Sequence, residues 1–333
     1  TLQSSRTTRQ TLLFSATLPK DVLSVGNFAT RGGAKVKLID TVGEEEGETH
    51  LQVRQSLVVS RVEEQATELL GLVRQLKAEE AHKIVVFFVT ARQTAYFSAL
   101  FNAAGVRVLE MHSRKSQSQR TKVSEVFRDG SGVIMFSSDV SARGMDYPDV
   151  TAVVQVGMAS DKAQYIHRLG RTARAGKAGG GYLLLADYER PFLSLLSEMP
   201  LKEDAPLPPK LRAQCEADIS RSASKIDEAM RASTYSAWLG FYNTFTKRLG
   251  MSKEEVVRRA NEFATKVLGL SSPPPLEPRT IGKMGLKGVK GLVIGQGGDG
   301  GRGGGGRGGG GKGGRGGRSV KQGDRAGGGE RLR

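Results

Sequence analysis

Three arginines, Arg168, Arg171 and Arg174, recur at three-residue intervals in HRLGRTARAG (167–176), with no acid among them. Residues three apart share one side of a helical turn. Guanidinium groups stay charged and bind phosphate through paired hydrogen bonds, so such a set suits a phosphate-bearing ligand. Taken alone, the spacing is more often a solvated helix face. Two further segments shift the balance. HSRKSQSQR (112–120) puts Arg114, Lys115, Gln117 and Arg120 at the start of an expected helix, where free N–H groups and partial positive charge favour anions. SSDVSARGMDYPDV (137–150) ends an apolar run with Ser138 and Asp139, turns at Arg143-Gly144, and continues to Asp146 and Asp149. Gly144 lets a backbone approach a ligand closely, and an Asp at a strand's carboxyl end can hold ribose hydroxyls.

The elements that must position these residues follow from hydrophobic periodicity. QSLVVS (55–60), KIVVFFV (83–89), VRVLEMH (106–112), VIMFSSD (133–139), AVVQVG (152–157) and GYLLLA (181–186) read as strands. KIVVFFV is apolar throughout, as in a strand buried on both faces. Between the strands, Val62, Ala66, Leu69, Leu70, Val73 and Leu76 recur at helical spacing. Further helices are expected up to Ala103, from about Ser116 to Phe127, and from Asp161. Ser60…Glu63, Thr90…Gln93 and Ser116…Gln119 have capping-box spacing, and Asp161…Gln164 is a variant with Asp as the cap. Alternating strands and helices imply an α/β fold, a parallel sheet covered by helices on both faces. Ligands of such sheets bind beyond the carboxyl ends of the strands. The loops after Val89, His112, Asp139 and Gly157 should therefore crowd one rim, with the arginine segment among them.

The flanking sequence divides the chain further. Residues 1–40 hold a strand and turn in TLLFSATLP (11–19) and a second strand in AKVKLID (34–40), and acid-rich TVGEEEGETH (41–50) reads as a linker. The α/β unit spans 51–198. Beyond Pro191 the sheet pattern stops, PLKEDAPLPPK (200–210) reads as a connector, and 199–270 is a small helical extension. Within it, Trp238, Leu239, Phe241, Tyr242 and Phe245 cluster, SKEE (252–255) opens another helix, and Gly269 is placed to end it. Residues 271–333 are expected to be a disordered tail, Pro-rich and then Gly/Arg-rich, with RGG at 302–304, 307–309 and 315–317. Such composition buries too little apolar surface to offset its ordering entropy.

Charge narrows the partners. The 333-residue chain carries a formal +16, and residues 279–333 contribute thirteen Lys/Arg against three acids. That excess points to a polyanion, most simply nucleic acid. Cys215 is the only cysteine, which excludes an intrachain disulfide and suits a reducing compartment. His50, His82, His112 and His167 lie far apart without metal-ligand spacing. No apolar run is long enough to span a membrane, and no signal peptide is visible.

Taken in order, these segments resemble the C-terminal half of a DEAD-box RNA helicase over about residues 10–197. Ser15-Ala16-Thr17 is similar to motif III, VVFFVT (85–90) to motif IV, Gln117 and Arg120 to the family's QxxR element, SSDVSARGMD (137–146) to motif V, and HRLGRTAR (167–174) to motif VI. The resemblance implies a RecA-like fold and roles for each position. Arg171 and Arg174 would be arginine fingers reaching ATP held mainly by a first domain. Asp146 would sit near the ribose, His167 would couple the nucleotide site to motif III through Ser15 and Thr17, and Arg168 would join the interdomain polar network among the catalytic residues. Gln117, Arg120, Ser138 and Gly144 would touch the RNA backbone, with Arg302, Arg307 and Arg315 of the tail adding contacts.

ATP, Mg²⁺ and RNA are the implied ligands, a monomer with possible RNP protein partners the implied state, and a mitochondrion or chloroplast the implied location, with nucleus or cytoplasm as the alternatives. Ser138 stands where the family usually has Thr, Ala173 where it has Gly, and Ser113 replaces the Gly after the His. Neither a G-x-x-x-x-G-K-[ST] nor a D-E-A-D occurs, and DEAM (227–230) reads as chance. The chain is thus expected to hold the end of domain 1, all of domain 2, the helical extension and the tail, without ATPase activity by itself. The alternative is a non-enzymatic RNA-binding or annealing protein acting through its basic tail. A dehydrogenase-like protein is disfavoured, because no G-x-G-x-x-G comes after the first strand.

Overall fold

A computed structural model describes residues 53–78, 81–141, 145–173 and 178–295. The elements expected in 1–50 and the Gly/Arg-rich stretch beyond Gly295 lie outside the described residues. The sheet has seven parallel strands in the order β3-β4-β2-β5-β6-β1-β7. They are β1 (Arg54–Ser60), β2 (Lys83–Phe88), β3 (Leu109–Met111), β4 (Val133–Ser137), β5 (Ala152–Val156), β6 (Gly180–Ala186) and β7 (Leu201–Glu203). The continuous apolar run of β2 takes an interior place between β4 and β5, and all of its residues are buried.

Helices α1 (Gln65–Leu76) and α2 (Ala91–Ala103) cover the face that presents Val86, Phe88, Val154 and Leu184. Phe88 stacks on Phe97 of α2 at 4.8 Å between ring centroids. The opposite face presents Val85, Phe87, Met135 and Val153. There α3 (Gln117–Asp129) packs through Phe127, and α4 (Lys162–Leu169) is tied down where Gln155 Nε2 donates to the Tyr165 carbonyl at 3.2 Å.

Three of the four expected caps form. Thr90 Oγ1 accepts from the Gln93 N–H (3.1 Å), Ser116 Oγ from Gln119 (3.2 Å) and Asp161 Oδ1 from Gln164 (2.7 Å). The Ser60…Glu63 pair does not. Ser60 stays in β1, and one residue later the Glu64 carboxylate accepts from the Arg61 N–H at 3.0 Å. The strand's pairing with β6 continues to its last residue, so the helical start shifts by one.

Two boundaries differ from the sequence reading. Leu201–Glu203, read as connector, pairs with β1 as a seventh strand. Residues 271–295, read as the start of the tail, are folded. Leu276, Ile281 and Leu286 are buried in the main core, α9 (Pro278–Lys283) forms one short helix, and Leu276 bridges to Ile294. The compact unit runs to Gly295. Composition hides this, because apolar residues spaced through a Pro-, Gly- and Lys-rich segment match neither the helical nor the strand period.

The extension comprises α5 (Pro209–Ala223), α6 (Glu228–Asn243), α7 (Thr246–Leu249), α8 (Lys253–Glu262) with a π-turn to Val267, and α9. Asp227 of DEAM is simply the cap of α6, accepting from the Met230 N–H at 3.0 Å. Gly269 has φ +64°, the left-handed geometry expected of a helix stop. The extension packs on α1 and α2. Arg74 pairs with Asp218 at 2.6 Å, and the Tyr96 hydroxyl donates to the Val267 carbonyl at 3.0 Å. Its aromatic cluster centres on Trp238, with Tyr242 at 4.2 Å and Phe263 stacked at 5.4 Å.

Candidate functional site

At the end of β3 the chain turns through His112, which is buried. Its Nε2 lies 2.7 Å from Glu110 Oε1, and its Nδ1 accepts the Arg114 N–H at 3.2 Å. With Nδ1 accepting, Nε2 is the nitrogen that donates to Glu110. Lys115 pairs with the other Glu110 oxygen at 3.1 Å. Burial pushes the Glu110 carboxyl up, yet His112 and Lys115 outweigh it and leave it below the ordinary range. This clasp and the Ser116 cap fix where α3 begins. Gln117 and Arg120 therefore leave the rim at defined positions.

They face the end of β4. The Ser138 N–H donates to the Met111 carbonyl at 3.1 Å, and Ser137 Oγ lies 2.6 Å from Ser141 Oγ, holding a single tight turn over Asp139–Ser141. Between that turn and α3 lies a groove of about 210 Å³, lined by Gln117, Arg120 and Ser124 on one side and by Val140, Ser141 and Met145 on the other. Arg120 Nε is buried without a hydrogen-bond partner. A buried cationic donor lacking an acceptor is costly. Gly144 lies outside the described residues.

The arginines of 167–174 separate into different roles. Arg168 is only 1% exposed, donates from Nε to Asp139 Oδ1 at 2.7 Å, and lies 5.6 Å over the Phe87 ring. It is not a partnerless cation. Gln164, one turn earlier, donates from Nε2 to the same Asp139 oxygen at 2.7 Å. The expected reciprocal cap on Asp161 is therefore replaced by a bridge to the rim loop. His167 is half-buried, and its carbonyl accepts from Arg171 Nε at 3.2 Å. Arg171 is partly exposed, and its Nη1 donates to the Met145 carbonyl.

Arg171 does not share a rim with Gln117. It lines a cavity of about 230 Å³ with Ala81, Asp149, Thr151, Ala173 and Ala178. Ala81, Thr151 and Ala178 precede β2, β5 and β6, so this cavity opens at the amino ends of the strands. The expectation of one shared rim is corrected, because a helix that starts at the carboxyl edge must run back along the sheet. Asp146 is exposed, on the segment joining the two places. Ala173 has φ +54°, a left-handed conformation at the position where the resemblance expects Gly. Arg174, Ser15, Thr17, Arg302, Arg307 and Arg315 lie outside the described residues.

One further group escaped the sequence reading. Glu189, fully buried, accepts from the Met158 N–H (2.7 Å), the Tyr242 hydroxyl (2.7 Å) and the Ala186 N–H (2.8 Å). It ties the loop ahead of α4 to α6 of the extension. Burial pushes its carboxyl up, against the opposing effect of these donors and Gln65. An acid next to Tyr188, three residues past a buried strand, was the available signal. No group of three or more His, Cys, Asp or Glu among the described residues could hold a metal ion, and no described helix is long and apolar enough to cross a membrane.

Comparison with known proteins places this arrangement. The helicase conserved C-terminal domain matches residues 64–176. The chain is 42% identical over 279 residues to DEAD-box ATP-dependent RNA helicase 26 of Oryza sativa subsp. japonica, covering 84% of this chain and 51% of that protein. It is 42% identical over 280 residues to DEAD-box ATP-dependent RNA helicase 31 of Arabidopsis thaliana, covering 84% and 38% respectively. The chain thus spans about half the length, or less, of these curated relatives. Among solved structures, DEAD-box helicase Mss116 bound to ssRNA and UDP-BeF superposes with a TM-score of 0.68 at 26% identity, over 84% of this chain and 57% of that one. Domain 2 of Mss116p bound to an RNA duplex matches with a TM-score of 0.59 at 23% identity, over 72% of this chain and 98% of that one, a likeness of fold. Residues 64–176 thus match a helicase conserved C-terminal domain, and the chain is similar over 84% of its length to DEAD-box ATP-dependent RNA helicases, with a fold like that of Mss116.

Proposed function

We propose that this chain supplies the RNA-gripping, arginine-presenting half of an ATP-dependent RNA helicase that remodels short duplexes or RNPs. The observation that carries the reading is the groove in which Gln117 and Arg120 meet the Ser138–Ser141 turn, joined through Asp139 to the helix that ends beside Arg171. In this reading phosphates of one RNA strand enter the groove. Arg120 presents its guanidinium, the α3 N-terminus adds its partial charge, and Ser138 stands at the end of β4.

Arg171 fits a nucleotide's terminal phosphates by chemistry and by partial exposure. Its Nε and Nη1 donate to the His167 and Met145 carbonyls, and phosphate binds a guanidinium more strongly than a neutral acceptor does. With Arg174 it would stabilise charge developing on the transferred phosphoryl group, and His167 and Asp146 would orient the nucleotide. ATP is the substrate. Mg²⁺ would be held by residues other than those described. Arg168 acts inside the domain, holding α4 to the rim loop. The organellar location implied by the resemblance is proposed with the rest, and a tagged gene product confined to the cytosol would remove it.

The test joins this chain behind the N-terminal half of the rice relative and measures RNA-stimulated ATP hydrolysis. Arg171→Ala should lower kcat by about 10³-fold or more, the range for arginine fingers, while RNA affinity without nucleotide stays unchanged. Activity within a few-fold of the unmutated fusion would end the reading.

A further inference from the structure

Residues 277–295 carry a charge pattern that the fold makes regular. The stretch 285–293 reads G-L-K, G-V-K, G-L-V. Each of its glycines is left-handed, with φ +65° at Gly285, +81° at Gly288 and +91° at Gly291. Each apolar residue next after a glycine turns inward: Leu286 is fully buried, and Val289 and Leu292 pack against the core. The third residue of the first two triplets, Lys287 and Lys290, is left exposed. Arg279 and Lys283, four apart on α9, are exposed as well.

The backbone of this segment is pinned from the domain side. Asn243 Nδ2 donates to the Met284 carbonyl, Lys253 Nζ to Gly285 and Asn261 Nδ2 to Gly291, each at 2.8 Å. No acid lies between Arg279 and Lys290. On α8, which supplies two of those pins, Glu255 and Glu262 are already paired with Arg258. Four of the thirteen cations beyond residue 278 therefore sit on a fixed surface.

We propose that Arg279, Lys283, Lys287 and Lys290 form a phosphate-binding surface for the backbone of single-stranded RNA, separate from the Gln117–Arg120 groove. A fixed array loses little conformational freedom when it binds, unlike cations on a Gly-rich chain. Nothing in it reads bases, so its contribution is electrostatic and independent of sequence. The inference rests on reading the chain as RNA-binding and deepens it, by giving the extension its own share of the contact.

The experiment measures binding of a labelled oligouridylate to the full chain against KCl concentration. Three forms are compared with the unmutated chain: Arg279→Gln/Lys283→Gln/Lys287→Gln/Lys290→Gln, a charge-keeping Arg279→Lys/Lys283→Arg/Lys287→Arg/Lys290→Arg, and the groove variant Gln117→Ala/Arg120→Ala. All four side chains are exposed, so an unchanged thermal midpoint is expected and is checked. The slope of log affinity against log salt falls by about 0.7 per lost phosphate contact on single strands. The Gln form should therefore be shallower by about 2 to 3, and the charge-keeping form should match the unmutated chain. A Gln form with unchanged slope overturns the inference and leaves an acidic protein as the better partner for this face. If that happens while the groove variant still weakens binding, the RNA-binding reading stands. If the groove variant alone has no effect, the groove reading fails and the extension surface survives.

Discussion

Asp139→Ala should destabilise this domain more than Arg168→Met does, although the two changes remove opposite halves of one ion pair. The asymmetry comes from burial, since Arg168 is 1% exposed and Asp139 is 44% exposed. Deleting the acid seals a guanidinium inside with only the Phe87 ring, 5.6 Å away, to face, and Arg168 Nη1 already lacks a hydrogen-bond partner. Orphaning one member of a buried pair costs about 3–5 kcal/mol. The half-exposed acid makes this pair weaker than that, which argues for about 2–3 kcal/mol. The Gln164 amide loses its acceptor too, adding about 1 kcal/mol.

The reverse change is milder. Met keeps the length and lies well against an aromatic ring, while Asp139 keeps Gln164 and gains water, so the cost should be about 1 kcal/mol or less. In Asp139→Ala/Arg168→Met no charge is left buried. The double variant should regain about 2 kcal/mol relative to the sum of the singles. Urea unfolding of the four proteins, tracked by Trp238 fluorescence, reads this directly. Equal costs for the two single variants, or an additive double, would refute the claim that an inward-facing cation needs Asp139.

Two other outcomes are expected from the geometry. Ala173→Gly should raise stability by about 0.5–1 kcal/mol, since φ +54° strains a residue with a Cβ by about 1–2 kcal/mol and the entropy added to the unfolded chain returns part of that; a lower thermal midpoint would contradict it. Glu189, whose carboxyl is raised by burial first of all, binds its proton more tightly folded than unfolded. Its contribution is therefore fully present below the ordinary carboxyl range and is lost as pH climbs through the raised value. Subtracting the stability profile of Glu189→Gln from that of the unmutated chain should give a difference that shrinks as pH rises across that window, and a flat difference would show that the group does not titrate there.

How much of the molecule is legible in its sequence depends on whether a feature is local. The strands around β2 can be read from Lys83–Phe88 because continuous burial demands a continuous apolar run. The Thr90, Ser116 and Asp161 caps can be read because both partners lie within three residues. The Gln117–Arg120 groove is legible as chemistry, and its opposite wall comes from strand order. The features that cannot be read depend on partners distant in sequence. Nothing in HRLGRTARAG says that its first arginine turns inward to Asp139, because that choice is made by which helix face meets the sheet. Leu201–Glu203 lacks strand character of its own and is recruited by the open edge of β1. Residues 276–295 fold because Leu276, Ile281 and Leu286 find places in a core already built by α6 and α8.

The route from groove to arginine is short and mechanically simple. Helix α4 has eight residues, about 12 Å at the usual rise, and it spans the distance from the carboxyl rim to the cavity beside Arg171. Gln164 and Arg168, four apart and hence on one side of that helix, both bond Asp139 Oδ1. Asp139 in turn comes directly after Ser138, at the wall of the groove. A ligand that moves the Asp139–Ser141 turn must either carry α4 with it or break two hydrogen bonds, one from the Gln164 amide and one from a buried guanidinium. Moving the helix is the cheaper response, since breaking the pair leaves charge uncompensated in the interior. In the proposed helicase, RNA in the groove and nucleotide at Arg171 would each favour a particular position of one rigid element, and that shared dependence is what coupling between two sites requires. Glu189 holds the start of the same helix from the other side through Met158, with Tyr242 of the extension as its second partner, so the extension sets the point about which α4 could turn.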